Sequence, residues 1–191
     1  MNLFGPIPVT SLGGGKFYLV VIDDHSKYTW VVILKSKDET QHSLINLIKL
    51  VQNEKGLKLI KIRSDRGTKF LNRTLSSFLE ESGIRHELSS ARTPQQNGIA
   101  ERRNRTLKET ARSMLAESGV SQKLWAEAIN TACYTQNRSL IHKRFDKTPY
   151  ELFHGKTPKV SYFKIFRSDC FVHNNDKDHL TSFDANSIVV S

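Results

Sequence analysis

Apolar residues fall into short unbroken runs early in the chain and into helical spacings after it. Phe17-Tyr18-Leu19-Val20-Val21-Ile22 and Tyr28-Thr29-Trp30-Val31-Val32-Ile33-Leu34 are continuous apolar runs of strand length, the pattern of strands covered on both faces. Residues 1–9 read as an extended segment punctuated by Gly5-Pro6. Leu12-Gly13-Gly14-Gly15 and Asp23-Asp24-His25-Ser26 are turn chemistry, so three strands joined by turns predict an antiparallel meander. Leu44, Ile45, Leu47, Ile48 and Val51 then follow at helical spacing. Ser36 and Glu39 form a capping-box pattern before them, and Gly56 stops the helix. Residues 57–64 predict a fourth strand ending at Asp65. Asn72 caps a short helix carrying Leu75, Phe78 and Leu79, closed by Gly83, and Ile84 to Leu88 predicts a fifth strand.

A breaker-rich loop, residues 89–98, leads to a helix expected from about Ile99 to Glu117. Ala100, Leu107, Ala111, Met114 and Leu115 share its apolar face, while Glu101, Arg105, Lys108 and Arg112 form a separate stripe. Ser121 is placed to cap another helix with Leu124, Trp125, Ala128, Ile129 and Ala132 turned inward. The order β-β-β-α-β-α-β-α-α predicts an α/β fold of ribonuclease H-like layering. It has a five-stranded mixed sheet, three antiparallel strands and then two more, with helices on both faces. Residues 1–155 are expected to form this core and residues 156–191 an extension after it.

The 191 residues suit one domain with a real core, and 38% apolar with 25% charged residues excludes a disordered chain. No apolar run approaches the roughly 18 residues of a membrane span. Cys133 and Cys170 are far apart and read as reduced thiols. A net charge of +10 favours a polyanionic partner, nucleic acid first. Arg102 and Arg103 join the stripe of Arg105, Lys108 and Arg112 to give that charge a location, and such side chains hold phosphates without reading sequence. Glu101 shares the stripe, and Asp65 stands at a predicted strand end. Each acid alone is ordinary. Together, separated by thirty-five residues, they are candidates for a divalent-metal site of the phosphodiester-cleaving kind. The seven histidines show no metal-ligand spacing with the cysteines, no serine-nucleophile motif occurs, and the tryptophans read as core.

Thr93-Pro94-Gln95-Gln96-Asn97-Gly98-Ile99-Ala100-Glu101-Arg102-Arg103-Asn104-Arg105 resembles the third-acid motif of copia-type retrotransposon integrases. Ile62-Arg63-Ser64-Asp65-Arg66-Gly67-Thr68 resembles the motif around their second acid. Leu3-Phe4-Gly5-Pro6 and Val21-Ile22-Asp23-Asp24-His25-Ser26 are similar to their opening strands, and Leu124-Trp125-Ala126-Glu127-Ala128 and Lys147-Thr148-Pro149-Tyr150-Glu151-Leu152 to their later segments. The resemblance implies a retroviral integrase-like catalytic core from a Pol polyprotein. It implies a polynucleotidyl transferase that processes 3′ ends and transfers strands, with two Mg²⁺ (or Mn²⁺) ions held by three acids. The implied partners are element ends, target DNA and further copies of the chain, with no membrane. The implied location is the nucleus or a cytoplasmic particle. Gln95, Gln96 and Asn97 of the loop motif join Arg102, Arg103, Arg105, Lys108 and Arg112 as expected DNA contacts.

The chain departs from that pattern where the first acid belongs. Asn2 stands where the family has aspartate, so the expected metal and catalytic set is Asp65, Glu101 and Asn2, an amide in place of a carboxylate. Metal binding and activity are therefore expected to be weakened. Lys69 replaces a usual glutamate near Asp65, and Arg167-Ser168-Asp169 a usual Gly-Cys-Lys run. Asp23 and Asp24 are better explained by the hairpin turn than as substitutes for the missing acid. Two rival readings stand beside this one: a non-catalytic DNA-binding or dimerisation remnant, and a ribonuclease H-like nuclease.

Overall fold

In the computed structural model, described over residues 1–65, 67–89, 94–173 and 187–190, β1 (Asn2–Phe4), β2 (Phe17–Ile22) and β3 (Thr29–Leu34) form an antiparallel sheet. Phe4 stands opposite Tyr18, Asn2 opposite Val20, and Ile22 opposite Thr29. β4 (Lys61–Ser64) and β5 (Arg85–Leu88) pair in parallel, with Lys61 opposite Arg85. The five expected strands are therefore present as three plus two. The Met1 nitrogen joins the halves by donating to the Arg63 carbonyl at 3.0 Å.

The unbroken apolar run of β2 has a direct cause. Successive side chains point to opposite faces, and each face is covered. Phe17 and Leu19 pack with Leu44, Ile45 and Ile48 of α1 (Glu39–Lys55), with Leu75 and Leu79 of α2 (Arg73–Glu81), and with Ile62 and Phe70. Tyr18 and Val20 pack on the other face with Leu107 and Ala111 of α3 (Pro94–Ser118) and Trp125, Ile129 and Ala132 of α4 (Trp125–Ser139). Leu19, Leu107 and Leu75 are fully buried. Each such side chain contributes about 1.5–3 kcal/mol through burial. After α4 come α5 (Pro149–His154), opened by a Thr148–Glu151 capping box, and a hairpin of β6 (Cys170–His173) and β7 (Ser187–Val190).

Three local expectations are corrected. The α1 cap is Asp38, with no side-chain capping bond, because Glu39 reaches back to the Lys35 N–H at 2.8 Å instead of boxing with Ser36. β4 begins at Lys61 and not at Leu57, for Leu57 and Ile60 are exposed at 70% and 75% and have no apolar layer over them. α3 starts at Pro94, five residues before the expected Ile99, so Pro94-Gln95-Gln96-Asn97-Gly98 is helix and not loop. Proline at the first helical position loses no hydrogen bond, since that N–H has no intrahelical acceptor. Gly56 does end α1, with φ of 61°. Asn72 does cap α2, accepting from Leu75 N–H at 2.9 Å. Ser121 caps the short 3₁₀ turn Gln122–Leu124 ahead of α4.

Candidate active site and nucleic-acid interface

The side-chain alternation of β1 decides where Asn2 looks. Met1 and Leu3 pack into the α1 face, and Phe4 packs into the α3 and α4 face. Asn2 shares the parity of Phe4 and so lies on the side of the sheet that α3 and α4 cover. By the same rule Ile62 belongs to the α1 core, and Asp65, odd-numbered and one residue past β4, follows Lys61 and Arg63 on the other side. The chain start brings these two strand ends together: Met1 is bonded to Arg63, and its ammonium feels the charge of Asp65.

α3 is held over this region by a buried polar contact. Tyr18 donates its hydroxyl to Asn104 Oδ1 at 2.5 Å, and Tyr18 stacks on Phe4 with ring centroids 5.4 Å apart. Burial raises the Tyr18 phenol well above its ordinary value, and the Asn104 bond partly offsets that. Ile99 and Ala100 meanwhile border the same cavity as Met1 and Arg63. Asn104 therefore lies by Phe4, and Ala100 lies toward Met1. Glu101 lies on α3 about one turn before Asn104, and it is exposed at the edge of the buried face.

Asp65 is already engaged. Its Oδ1 accepts the Gly67 N–H at 2.9 Å, and its Oδ2 is 3.2 Å from the Lys69 ammonium. A Cβ at Gly67 would stand 2.8 Å from Asp65 Oδ1, so glycine lets the carboxylate hold this position without shifting. Ser64 Oγ contacts His86 Nε2 at 2.8 Å and donates to the Asp65 carbonyl, and desolvation lowers the His86 pKa. Asp23 instead accepts from Ser26 N–H at 2.8 Å and from Ser26 Oγ at 2.6 Å, and Asp24 pairs with Lys27, so both serve the hairpin turn. Among the described residues, no three His, Cys, Asp or Glu side chains gather as a metal-holding group. The available donors are one carboxylate tied to a lysine, one exposed glutamate and a neutral amide. That set does not fit two dications, which need more negative charge than it carries.

The basic residues of α3 divide into two kinds. Arg102, Arg105, Lys108 and Arg112 are exposed, with Arg102 Nε donating to the Gly98 carbonyl at 3.0 Å. Arg103 is turned inward: it donates to the Lys27 carbonyl at 3.0 Å and to Gln136 Oε1 at 3.4 Å, and burial lowers its pKa. The side chains of Gln95, Gln96 and Asn97 lie outside the described residues. Sequence reading missed the role of Asn104. Its signal is an asparagine on the buried stripe between Ala100 and Leu107, where an apolar residue is expected. Cys133 is buried and reduced, donating to the Thr29 carbonyl, and burial pushes its thiol up to about 12.

Helices on both faces of antiparallel and parallel strands, with α3 packed on β2 and α4, define a ribonuclease H-like fold of the integrase-core type. The catalytic core domain of human T-lymphotropic virus 2 integrase, in complex with magnesium and in a trimeric form, shares it. Its TM-score is 0.59 at 21% identity, covering 80% of this chain and 91% of that one. A simian T-cell lymphotropic virus intasome in complex with PP2A regulatory subunit B56 gamma gives 0.60 at 17% identity, covering 90% and 59%. Residues 4–94 match the integrase core domain. The chain is 39% identical over 187 residues, 98% of its length, to the retrovirus-related Pol polyprotein of transposon TNT 1-94 from Nicotiana tabacum. It is 28% identical over 164 residues to that of transposon RE2 from Arabidopsis thaliana. It belongs to the integrase core family of the copia-type retrotransposon Pol polyproteins. It spans 14% and 11% of the length of those two relatives.

Proposed function

We propose that this chain is the core of a DNA-integrating polynucleotidyl transferase whose metal-dependent step is impaired. It would bind element ends and target DNA through α3 and act as part of a multimer in the nucleus. Residues 1–155 are read as the core and residues 156–191 as its extension. What supports this reading is the 39% identity to a Pol polyprotein along nearly the whole chain, with Asn2 at the start of β1, Asp65 just past β4 and Glu101 on α3 at the positions of the family's three acids. In the active family, Mg²⁺ or Mn²⁺ at the matching positions supplies the activated hydroxyl and the leaving-group stabilisation. Here Asn2 brings no charge, and Lys69 supplies a cation within the carboxylate's reach. Asp65, just past β4, and Glu101 on α3 are the remaining acids, while Arg102, Arg105, Lys108 and Arg112 hold phosphates.

The experiment compares the unmodified chain with Asn2→Asp, Lys69→Glu and the double variant. Mn²⁺ binding is measured by calorimetry and strand transfer on short DNA ends. The expected outcome is weak binding and little joining by the unmodified chain, a gain with Asn2→Asp, and the largest gain in the double variant. If the unmodified chain joins ends as well as the double variant, the impairment is wrong. If no variant binds metal while all bind DNA, the DNA-binding remnant is the better reading. Cleavage of an RNA–DNA hybrid without end joining would favour the nuclease.

A further inference from the structure

The loop between α4 and α5 folds as a tight hairpin. His142 and Lys147 face each other as an antiparallel bridge, with the His142 N–H donating to the Lys147 carbonyl at 2.8 Å. The N–H groups of Phe145 and Asp146 both donate to the His142 carbonyl at 3.0 Å, and Asp146 takes the left-handed φ of 50° that closes the loop. Both ends are held as well. Leu140 N–H donates to the Gln136 carbonyl at the end of α4, and Thr148 opens the capping box of α5. The hairpin is also pinned to the β2–β3 turn, since the Phe145 ring lies 5.1 Å from that of His25. Arg103 of α3 fixes that turn in its place by donating to the Lys27 carbonyl.

The hairpin presents rings and cations together. Phe145 stands between two imidazoles, His25 at 5.1 Å and His142 at 5.0 Å, with the Arg144 guanidinium 5.4 Å over its ring. His25 is exposed, and His142 and Phe145 are half-buried, so the cluster opens to solvent. Lys143, Arg144 and Lys147 are exposed and form no ion pair among the described residues, and Asp146 is the one acid of the hairpin. Cations alone serve a duplex, which turns its phosphates outward and keeps its bases stacked inside. A single strand also exposes base faces, and rings beside cations hold both parts of it. The hairpin lies apart from the stripe of Arg105, Lys108 and Arg112. Arg103 marks the flank of α3 that meets the β2–β3 turn, and Arg112, about two and a half helical turns further on, points to the opposite flank. We propose that the 142–147 hairpin, with His25, is a binding platform for single-stranded nucleic acid. Bases stack on the His25, Phe145 and His142 rings, and Lys143, Arg144 and Lys147 hold the phosphates. The platform needs no metal, so it is independent of the metal-site reading.

Binding is measured by fluorescence anisotropy in EDTA, with short oligothymidylate, oligouridylate and a DNA duplex as probes. The unmodified protein is compared with Phe145→Leu, Phe145→Trp and the triple variant Lys143→Gln/Arg144→Gln/Lys147→Gln. Phe145→Leu keeps an apolar side chain without an aromatic face. It should weaken single-strand binding about fivefold, the loss of about 1 kcal/mol of stacking, and leave duplex binding nearly unchanged. Phe145→Trp should bind single strands at least as tightly as the unmodified protein. The triple variant should weaken single-strand binding and flatten its dependence of log K on log salt by about 0.7 for each phosphate released. Unlabelled duplex that saturates the α3 stripe should leave the labelled single strand bound. The order of the two oligomers names the sugar and supports the proposal either way. Unchanged single-strand affinity in Phe145→Leu would overturn the proposal. So would equal losses for single strand and duplex, which would reduce the hairpin to a phosphate contact. A loss in Phe145→Trp as large as in Phe145→Leu would show that the ring only packs the hairpin. Full displacement of the single strand by duplex would merge the two surfaces, and either of these results overturns the proposal as well.

Discussion

A single side chain can report whether α3 is seated on the sheet. Asn104 is 8% exposed, and its Oδ1 takes the hydroxyl of fully buried Tyr18. Tyr18→Phe leaves that amide oxygen buried without its donor, so it should destabilise the fold by about 1–3 kcal/mol in urea denaturation. Asn104→Leu alone strands the phenol hydroxyl and should cost a similar amount. The double variant Tyr18→Phe/Asn104→Leu should cost less than the sum, because neither group is then left unpaired. Strict additivity would show that the two residues are not coupled and that the contact does not seat the helix. Asp65 illustrates the limit of reading residues one at a time. Its spacing to Glu101 is visible in the sequence, and the charge brought by Lys69 is too. That Gly67 and Lys69 engage both of its oxygens depends on the turn after β4, which no periodicity encodes.

Elements were most legible where one physical cause dominates. The β2 run is unbroken because two cores claim alternate residues, and Gly56 stops α1 because the chain there needs a left-handed conformation. Legibility failed where a residue type has two uses. Pro94 and Gly98 punctuate loops in general, but proline at a helix start is compatible with the helix it opens, so α3 reaches Pro94. Leu57 and Ile60 look like strand residues by type, and only the missing layer above them excludes that. The cap of α2 offers a clean test at this scale. Asn72→Ala removes the acceptor for Leu75 N–H and should lower stability by about 1 kcal/mol. Asn72→Ser should recover most of it, since serine is an equally good cap. An unchanged melting temperature in Asn72→Ala would show that the α2 end contributes nothing to the cooperative fold.

At the scale of the whole molecule, the question is whether the excess of positive charge acts as a diffuse cloud or as a track. A chain with net charge +10 binds polyanions to some degree wherever its cations lie. α3 argues for a track. Arg105, Lys108 and Arg112 follow one another at helical spacings of three and four, are all exposed, and continue along the helix from Glu101. Arg103 sits on the same helix with the same charge, but its donors are taken by Lys27 and Gln136, so it holds α3 to the β2–β3 turn instead. The two kinds of arginine should therefore fail differently. Replacing Arg105, Lys108 and Arg112 with glutamine should weaken binding of a fluorescent DNA duplex. It should also flatten the dependence of log K on log salt by about 0.9 for each phosphate left without its cation, while melting stays nearly unchanged. Arg103→Gln should lower the melting temperature and leave the salt slope where it was. A diffuse cloud predicts the opposite: any three exposed lysines elsewhere, such as Lys35, Lys58 and Lys156, would reduce the slope as much as the stripe does. Equal slopes from those two triple variants would remove the track. A reduction confined to the α3 stripe would place the DNA backbone along the helix that also carries Glu101.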